Sequence, residues 1–300
     1  MHAPIAARAE VIPFESSTPS DTDFLTATGG PEATIAGVLR LPHADGDRQP
    51  LAVLLHGSGG VITYVEAWAQ RLLALGWATF TVDSFSGRGL ASVRDNQGAL
   101  GRLVGVLDAY RALERLAAHP LIDTRRIVLI GFSRGGQGAL YAALTRFQRQ
   151  YLRGDARYAA HVAFYPNCCT RYLDDADVAA VPIRIHHGEA DDLNPIGPCR
   201  DYVSRLQAAG ADAQLHAYPD AHHVFDGEAY AKPAYAPQAF SMRGCRVVET
   251  APGRLVDTVS GRPFRWDDSS IARGATAAYH PDAASASISA LAALLRRWHA

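Results

Sequence analysis

Apolar runs of strand length alternate along this chain with segments of helical spacing, and that alternation restricts its fold more than any other feature. Residues 51–55, 77–82, 127–130, 161–164, 183–186 and 214–218 read as strands, the first and third apolar throughout, as strands covered on both faces must be. Between them, 64–75, 98–118, 137–146 and 199–209 read as helices. In the second of these, Leu103, Val106, Leu107, Tyr110, Leu113 and Leu116 recur at i, i+3 and i+4, and the run stops before Pro120. Gly76 and Gly210 stand where helix-ending glycines belong. With a last helix over about 283–298, the pattern predicts an α/β chain: βα units doubly wound around a mostly parallel sheet, with helices on both faces.

Two stretches depart from the alternation. Residues 11–14 and 34–41 read as strands separated by the turn-rich Thr28-Gly29-Gly30-Pro31 and followed by a polar loop over 43–50, so an antiparallel entry into the sheet is expected. Residues 226–279 are rich in Gly, Pro and isolated aromatics, with weak periodicity. That is too long for a plain loop. We expect an irregular excursion or partial lid within a single domain spanning 1–300, a length that supports one large core.

A formal net charge of −1 offers no basic face for phosphates or anionic lipid, so neither nucleic acid nor membrane is an expected partner. Lys232 is the only lysine, which argues against P-loop and Schiff-base chemistry. No run reaches the length of a transmembrane helix, and residues 1–9 lack a basic and then apolar leader; the expected location is cytoplasmic. The lesser alternative is that Ala7-Arg8-Ala9 is the remnant of an A-x-A cleavage site, which would make the protein periplasmic or secreted. Cys168, Cys169, Cys199 and Cys245 fit no zinc spacing, and no metal or cofactor is expected. They read either as buried thiols or as a bridge from Cys168 or Cys169 to Cys199, across strand ends that would be neighbours.

Gly131-Phe132-Ser133-Arg134-Gly135 follows the apolar strand at 127–130 and opens a helical segment. G-x-S-x-G in that context sets the serine on a tight strand-to-helix turn, its hydroxyl held out at the carboxyl end of the sheet and a helix N-terminus behind it. His56-Gly57-Ser58-Gly59-Gly60 follows another apolar strand. Its backbone can turn an amide, that of Ser58 in preference to that of Gly59, toward a reacting oxygen, and with the amide of Arg134 it would form an oxyanion hole. A serine nucleophile needs a base, and the base an orienting acid, in the chain order Ser, acid, His. Gly188-Glu189-Ala190-Asp191-Asp192 after one strand and Tyr218-Pro219-Asp220-Ala221-His222-His223-Val224-Phe225 after the next supply both.

These four motifs resemble the dienelactone hydrolase family of α/β-hydrolases over roughly residues 34–226 and the final helix. The resemblance implies the α/β-hydrolase fold and places the acid on Asp191 and the base on His223, with Asp192 and His222 as adjacent alternatives. It departs in one respect: the family's usual nucleophile is cysteine, and here the position is Ser133. The expected activity is that of a serine hydrolase on small-molecule carboxylic esters or lactones, through an acyl-enzyme on Ser133. A prolyl-oligopeptidase-like acyl-peptidase and a non-catalytic ligand-binding homologue are the alternatives. Arg88, after the strand at 77–82, could hold a substrate carboxylate or pair with Asp83 or Asp95. Tyr64, Arg134 and Phe225 are pocket walls by position.

Overall fold

A computed structural model describes residues 7–44 and 46–298; residues 1–6 of the leader reading, Asp45 of the polar loop and residues 299–300 lie outside the described residues. In chain order the elements are β1 (Arg8–Ser17), α1 (Asp21–Thr26), β2 (Glu32–Leu41), β3 (Gln49–Leu55), α2 (Thr63–Ala74), β4 (Ala78–Asp83), α3 (Val104–Ala117), β5 (Ile122–Phe132), α4 (Arg134–Tyr141), α5 (Thr145–Tyr151) and β6 (Ala160–Phe164). There follow β7 (Thr170–Arg171), β8 (Ile183–Gly188), α6 (Ile196–Ala208), β9 (Ala213–Tyr218), β10 (Ala234–Ser241), β11 (Val247–Ala251), β12 (Arg254–Asp257), β13 (Ala272–Ala277) and α7 (Pro281–Leu295).

Eight strands form one sheet in the order β1-β2-β4-β3-β5-β6-β8-β9. β1 and β2 enter antiparallel and the rest run parallel. Because β3 lies between β4 and β5, the chain winds outward from it in both directions. The loops leaving β3 and β5 therefore emerge side by side at the carboxyl edge, where doubly wound sheets bind ligands. β3 shows why its sequence is apolar throughout: Leu51, Val53 and Leu55 enter the core under α1 and α3 to α6, while Ala52 and Leu54 enter the core under α2 and α7.

The single helix expected over 137–146 is two. Leu144 is drawn into an isolated bridge with Val178 and takes extended backbone, which separates α4 from α5. α3 starts later than 98 because 97–99 form a tight 3-10 turn. α1 lies between the two entry strands, ahead of the turn-rich 28–31, where no helix was expected; Ser20 and Asp23 form the capping box that starts it. Cys168 is bonded to Cys199, with Cα atoms 5.1 Å apart, while Cys169 and Cys245 are buried free thiols. The region 226–279 is less irregular than its composition suggests: β10 pairs with β13, and β12-β11-β7 form a second small sheet. Residues 234–238 of β10 are exposed without alternation, so no period-two signal could mark them. Among the described residues no helix is long and apolar enough to cross a membrane.

Candidate active site

The turn after β5 has no room for side chains. A Cβ on Gly131 would lie 2.0 Å from the Gly135 oxygen, and one on Gly135 would lie 2.2 Å from the Leu55 oxygen, so the start of α4 packs directly on β5 and β3. Ser133, between them, takes φ 54° and ψ −113°, a conformation L-residues adopt only when their surroundings impose it. Its N–H donates to Phe164 O at 2.9 Å, which fixes the corner to β6. The hydroxyl is left facing the loops that follow β8 and β9.

Those loops deliver the other two residues. His223 Nε2 lies 3.0 Å from Ser133 Oγ, and His223 Nδ1 lies 2.7 Å from Asp191 Oδ2. With Nδ1 protonated against the carboxylate, Nε2 is the acceptor for the serine proton. Asp191 Oδ1 accepts the N–H groups of Leu193 (2.9 Å) and Asn194 (2.8 Å), so its turn holds itself. Burial by itself would raise the Asp191 carboxyl; the His223 and His187 imidazoles outweigh it and hold the group well below the usual carboxylate range. Tyr165 packs edge-on against the His223 ring at 4.7 Å.

The neighbouring residues go elsewhere. Asp192 Oδ1 accepts Thr276 N–H (2.7 Å) and Oδ2 accepts Thr276 Oγ1 (3.2 Å), so this carboxylate binds the excursion while Asp191 binds the histidine. His222 has a buried Nδ1 without a partner among the described residues, and it is the ring of His223, not His222, that meets Ser133.

Beside Ser133 the loop after β3 turns at Gly57–Gly60, where Gly60 N–H donates to Gly57 O at 3.1 Å. Val93 N–H donates to Ser58 O at 2.8 Å and anchors the loop. Neither the Ser58 N–H nor the Arg134 N–H is claimed by an acceptor among the described residues, and both residues line the same cavity as Ser133. Arg134 is the first residue of α4, where helix amides have no partner of their own. Its guanidinium is buried against the carbonyls of Leu100 and Gly101, and burial lowers it to about 10.

Arg88 does not face this cavity. Its guanidinium grips Asp108 with both nitrogens at 2.8 Å and donates to Ser84 O (2.7 Å) and Ser17 O (2.8 Å), with 3% of the side chain exposed. The substrate-binding expectation for Arg88 is thereby corrected, and its partner is neither Asp83 nor Asp95. The cause is Asp108, a fully buried carboxylate on the inward face of α3 that cannot remain without a cation. An acid inside the apolar stripe of a helix is a signal the sequence does carry.

The cavity holds about 420 Å³ and is lined by both regions of the chain. The sheet loops and the helices that follow them contribute Tyr64, Arg94, Arg102, Gln137 and Asn167; the excursion contributes Phe240, Met242, Trp266 and residues 275–277. Phe225, expected as a wall, is instead buried behind it among Phe164, Tyr165 and Tyr218. Arg102, Phe240 and Trp266 were not found by sequence reasoning, because their motif-free segments reach the cavity only through the tertiary fold.

Solved structures share this architecture. The crystal structure of a dienelactone hydrolase-like promiscuous phosphotriesterase from metagenomic libraries is similar over 96% of this chain and 98% of its own, at 18% identity and a TM-score of 0.64. A putative dienelactone hydrolase from Klebsiella pneumoniae matches over 74% of this chain and 91% of its own, at 20% identity and a TM-score of 0.53. An esterase from Thermogutta terrifontis matches over 64% and 80%, at 18% identity and a TM-score of 0.51. Similarity at this level shows the fold. The dienelactone hydrolase family model matches residues 35–246, most of the chain, and the chain therefore belongs to the dienelactone hydrolase family.

Proposed function

We propose that this chain is a serine hydrolase of small carboxylic esters or lactones, working as a single α/β-hydrolase domain with the excursion as a partial lid. The observation that carries the reading is the unbroken line from Asp191 through His223 to Ser133, at 2.7 and 3.0 Å, opening into a cavity. Ser133 Oγ attacks the ester carbonyl as its proton passes to His223 Nε2, and the carbonyl π pair moves to oxygen, facing the Ser58 and Arg134 amides. Collapse expels the alcohol, which takes the proton from His223. Water, deprotonated by the same nitrogen, then releases the acid and restores Ser133. Asp191 stays ionised throughout and keeps the imidazole in the tautomer required. The Cys168–Cys199 bridge favours an oxidising compartment over the cytoplasm.

The test is Ser133→Ala against a panel of p-nitrophenyl esters of graded acyl length and an aryl lactone. The expected loss in kcat is roughly 10⁴-fold or more. A fluorophosphonate should label Ser133 and no other residue in mass spectrometry; turnover that survives the substitution would falsify the reading.

A further inference from the structure

Tyr64 occupies the second position of α2, just past the glycine-rich loop that carries Ser58. Its ring packs edge-on against Phe132, the residue before Ser133, at 5.5 Å. Val65 and Trp68 belong to the same buried cluster, so the side chain has little freedom. That packing brings the hydroxyl back over the loop. A Cβ placed on Gly57 would lie 2.8 Å from the Tyr64 oxygen and 3.4 Å from Ser133 Cβ. The phenol and the nucleophile thus flank one small space, which exists because residue 57 has no side chain. Tyr64, Gly57, Ser58 and Ser133 all line the same cavity.

The phenol oxygen lies against the backbone of Gly57, and its hydroxyl carries one proton to donate. No acceptor among the described residues takes that proton. Burial, with the Asp226 carboxylate nearby, holds the phenol well above its ordinary range, so it remains a donor at any pH where the enzyme could work. A protonated phenol with no acceptor, beside the amide proposed for the oxyanion hole, is positioned for charge that is absent in the resting protein and appears only during reaction.

We propose that the Tyr64 hydroxyl is a third donor to the oxyanion formed when Ser133 adds to the substrate carbonyl. The proton is shared and not transferred: it stays on the phenol as the carbonyl oxygen gains charge, and the contact weakens again when the intermediate collapses. This rests on Ser133 being the nucleophile.

The experiment is Tyr64→Phe, which keeps the ring against Phe132 and deletes one atom. On a p-nitrophenyl ester, kcat should fall about 10²-fold, the loss typical of a single oxyanion donor, with KM within about threefold. Affinity for phenylboronic acid, whose tetrahedral adduct on a serine carries the same charge, should fall by a similar factor. Fluorophosphonate labelling of Ser133 in both proteins reports that the fold and nucleophile are intact. If labelling persists and kcat is unchanged, or only KM rises, or kcat falls while boronate affinity holds, the role of Tyr64 is refuted and the serine hydrolase reading stands. If Ser133 is not labelled in the unaltered chain and Ser133→Ala still turns over, both fall together. If Tyr64→Phe does not fold, 3-fluorotyrosine at position 64 serves instead: acidifying the phenol at nearly constant size should preserve or raise kcat near neutral pH, and a tenfold loss there would overturn the proposal.

Discussion

The corner that carries Ser133 and the wall that faces it are held in opposite ways. The corner is backbone against backbone: Gly131 and Gly135 permit contacts that no side chain could enter, at the end of a strand whose residues 127–132 are all buried. The wall is a pair of small sheets joined to the core by separate links. Asp192 binds Thr276, Ser241 Oγ donates to Asp192 O at 2.6 Å, Met242 N–H donates to Leu193 O at 2.8 Å, and Arg146 pairs with Glu249. A corner built this way tolerates almost no substitution. A wall built from separate links can change one residue at a time, and such a wall is where substrate choice can be set while the reacting geometry stays fixed.

The sharpest way to break this comparison is to remove one charge from each region. Arg88→Ala strands the Asp108 carboxylate at zero exposure, and the loss should be about 3–5 kcal/mol, read as a large fall in Tm. Arg265→Ala, which dissolves the exposed Arg265–Asp267 pair of the excursion, should leave Tm unchanged. The fraction of Arg88→Ala that folds should hydrolyse neutral and anionic esters in the unaltered ratio. A stable Arg88→Ala protein with a raised KM for anionic esters alone would return Arg88 to the cleft and contradict its buried pairing.

The same division governs what could be read beforehand. The core strands announce themselves because burial on both faces leaves unbroken apolar runs, and Ser133, Asp191 and His223 because each follows such a run in a motif with a mechanical reason for its residues. The excursion gave no such signal. β10 lies largely in solvent, so nothing in its composition selects strand over loop, and Phe240 and Trp266 come to line one cavity with Tyr64 and Ser133 only through the tertiary fold. Arg88 was misplaced for a related reason. Position at a sheet edge says where a loop begins, whereas the direction of a long side chain depends on which buried charge lies nearest, and Asp108 is twenty residues away on another element.

Acid should also separate the two regions. The buried histidines His56, His161, His186, His187 and His223 all lie before residue 226, and residues 226–279 contain no histidine. His161 has Nδ1 against Ala139 O at 2.9 Å and a buried Nε2 without a partner among the described residues; burial lowers the ring from 6.5 to about 4. The fold thus keeps the ring neutral where the unfolded chain already binds a proton. Stability from this group is complete above about pH 6.5 and declines as pH falls toward 4, by roughly 3 kcal/mol in all. Denaturant titrations across that window should show it, and His161→Asn, which retains a donor for Ala139, should reduce the slope by about one proton. An unchanged slope would assign the acid sensitivity to other groups.

The smallest expected effect tests whether the wall can move without disturbing the corner. Asp192 is adjacent to Asp191, the acid proposed for the triad, so a merely local view expects Asp192→Ala to impair catalysis. The hydrogen bonds argue otherwise: Asp191 Oδ1 already holds the turn through Leu193 and Asn194, and both oxygens of Asp192 point to Thr276 instead. Removing that half-buried carboxylate should cost about 1 kcal/mol, and kcat for an acetyl ester should stay within about twofold. What should change is discrimination among acyl groups, because β13 and with it the 275–277 edge of the cavity lose a link to the core. The ratio of kcat/KM between a long-chain and an acetyl ester, measured for Asp192→Ala and for Thr276→Val, should shift in the same direction in both proteins. A fall in kcat for the acetyl ester with no change in that ratio would mean that the two regions are one mechanical unit, and that the roles of the paired aspartates are not separate.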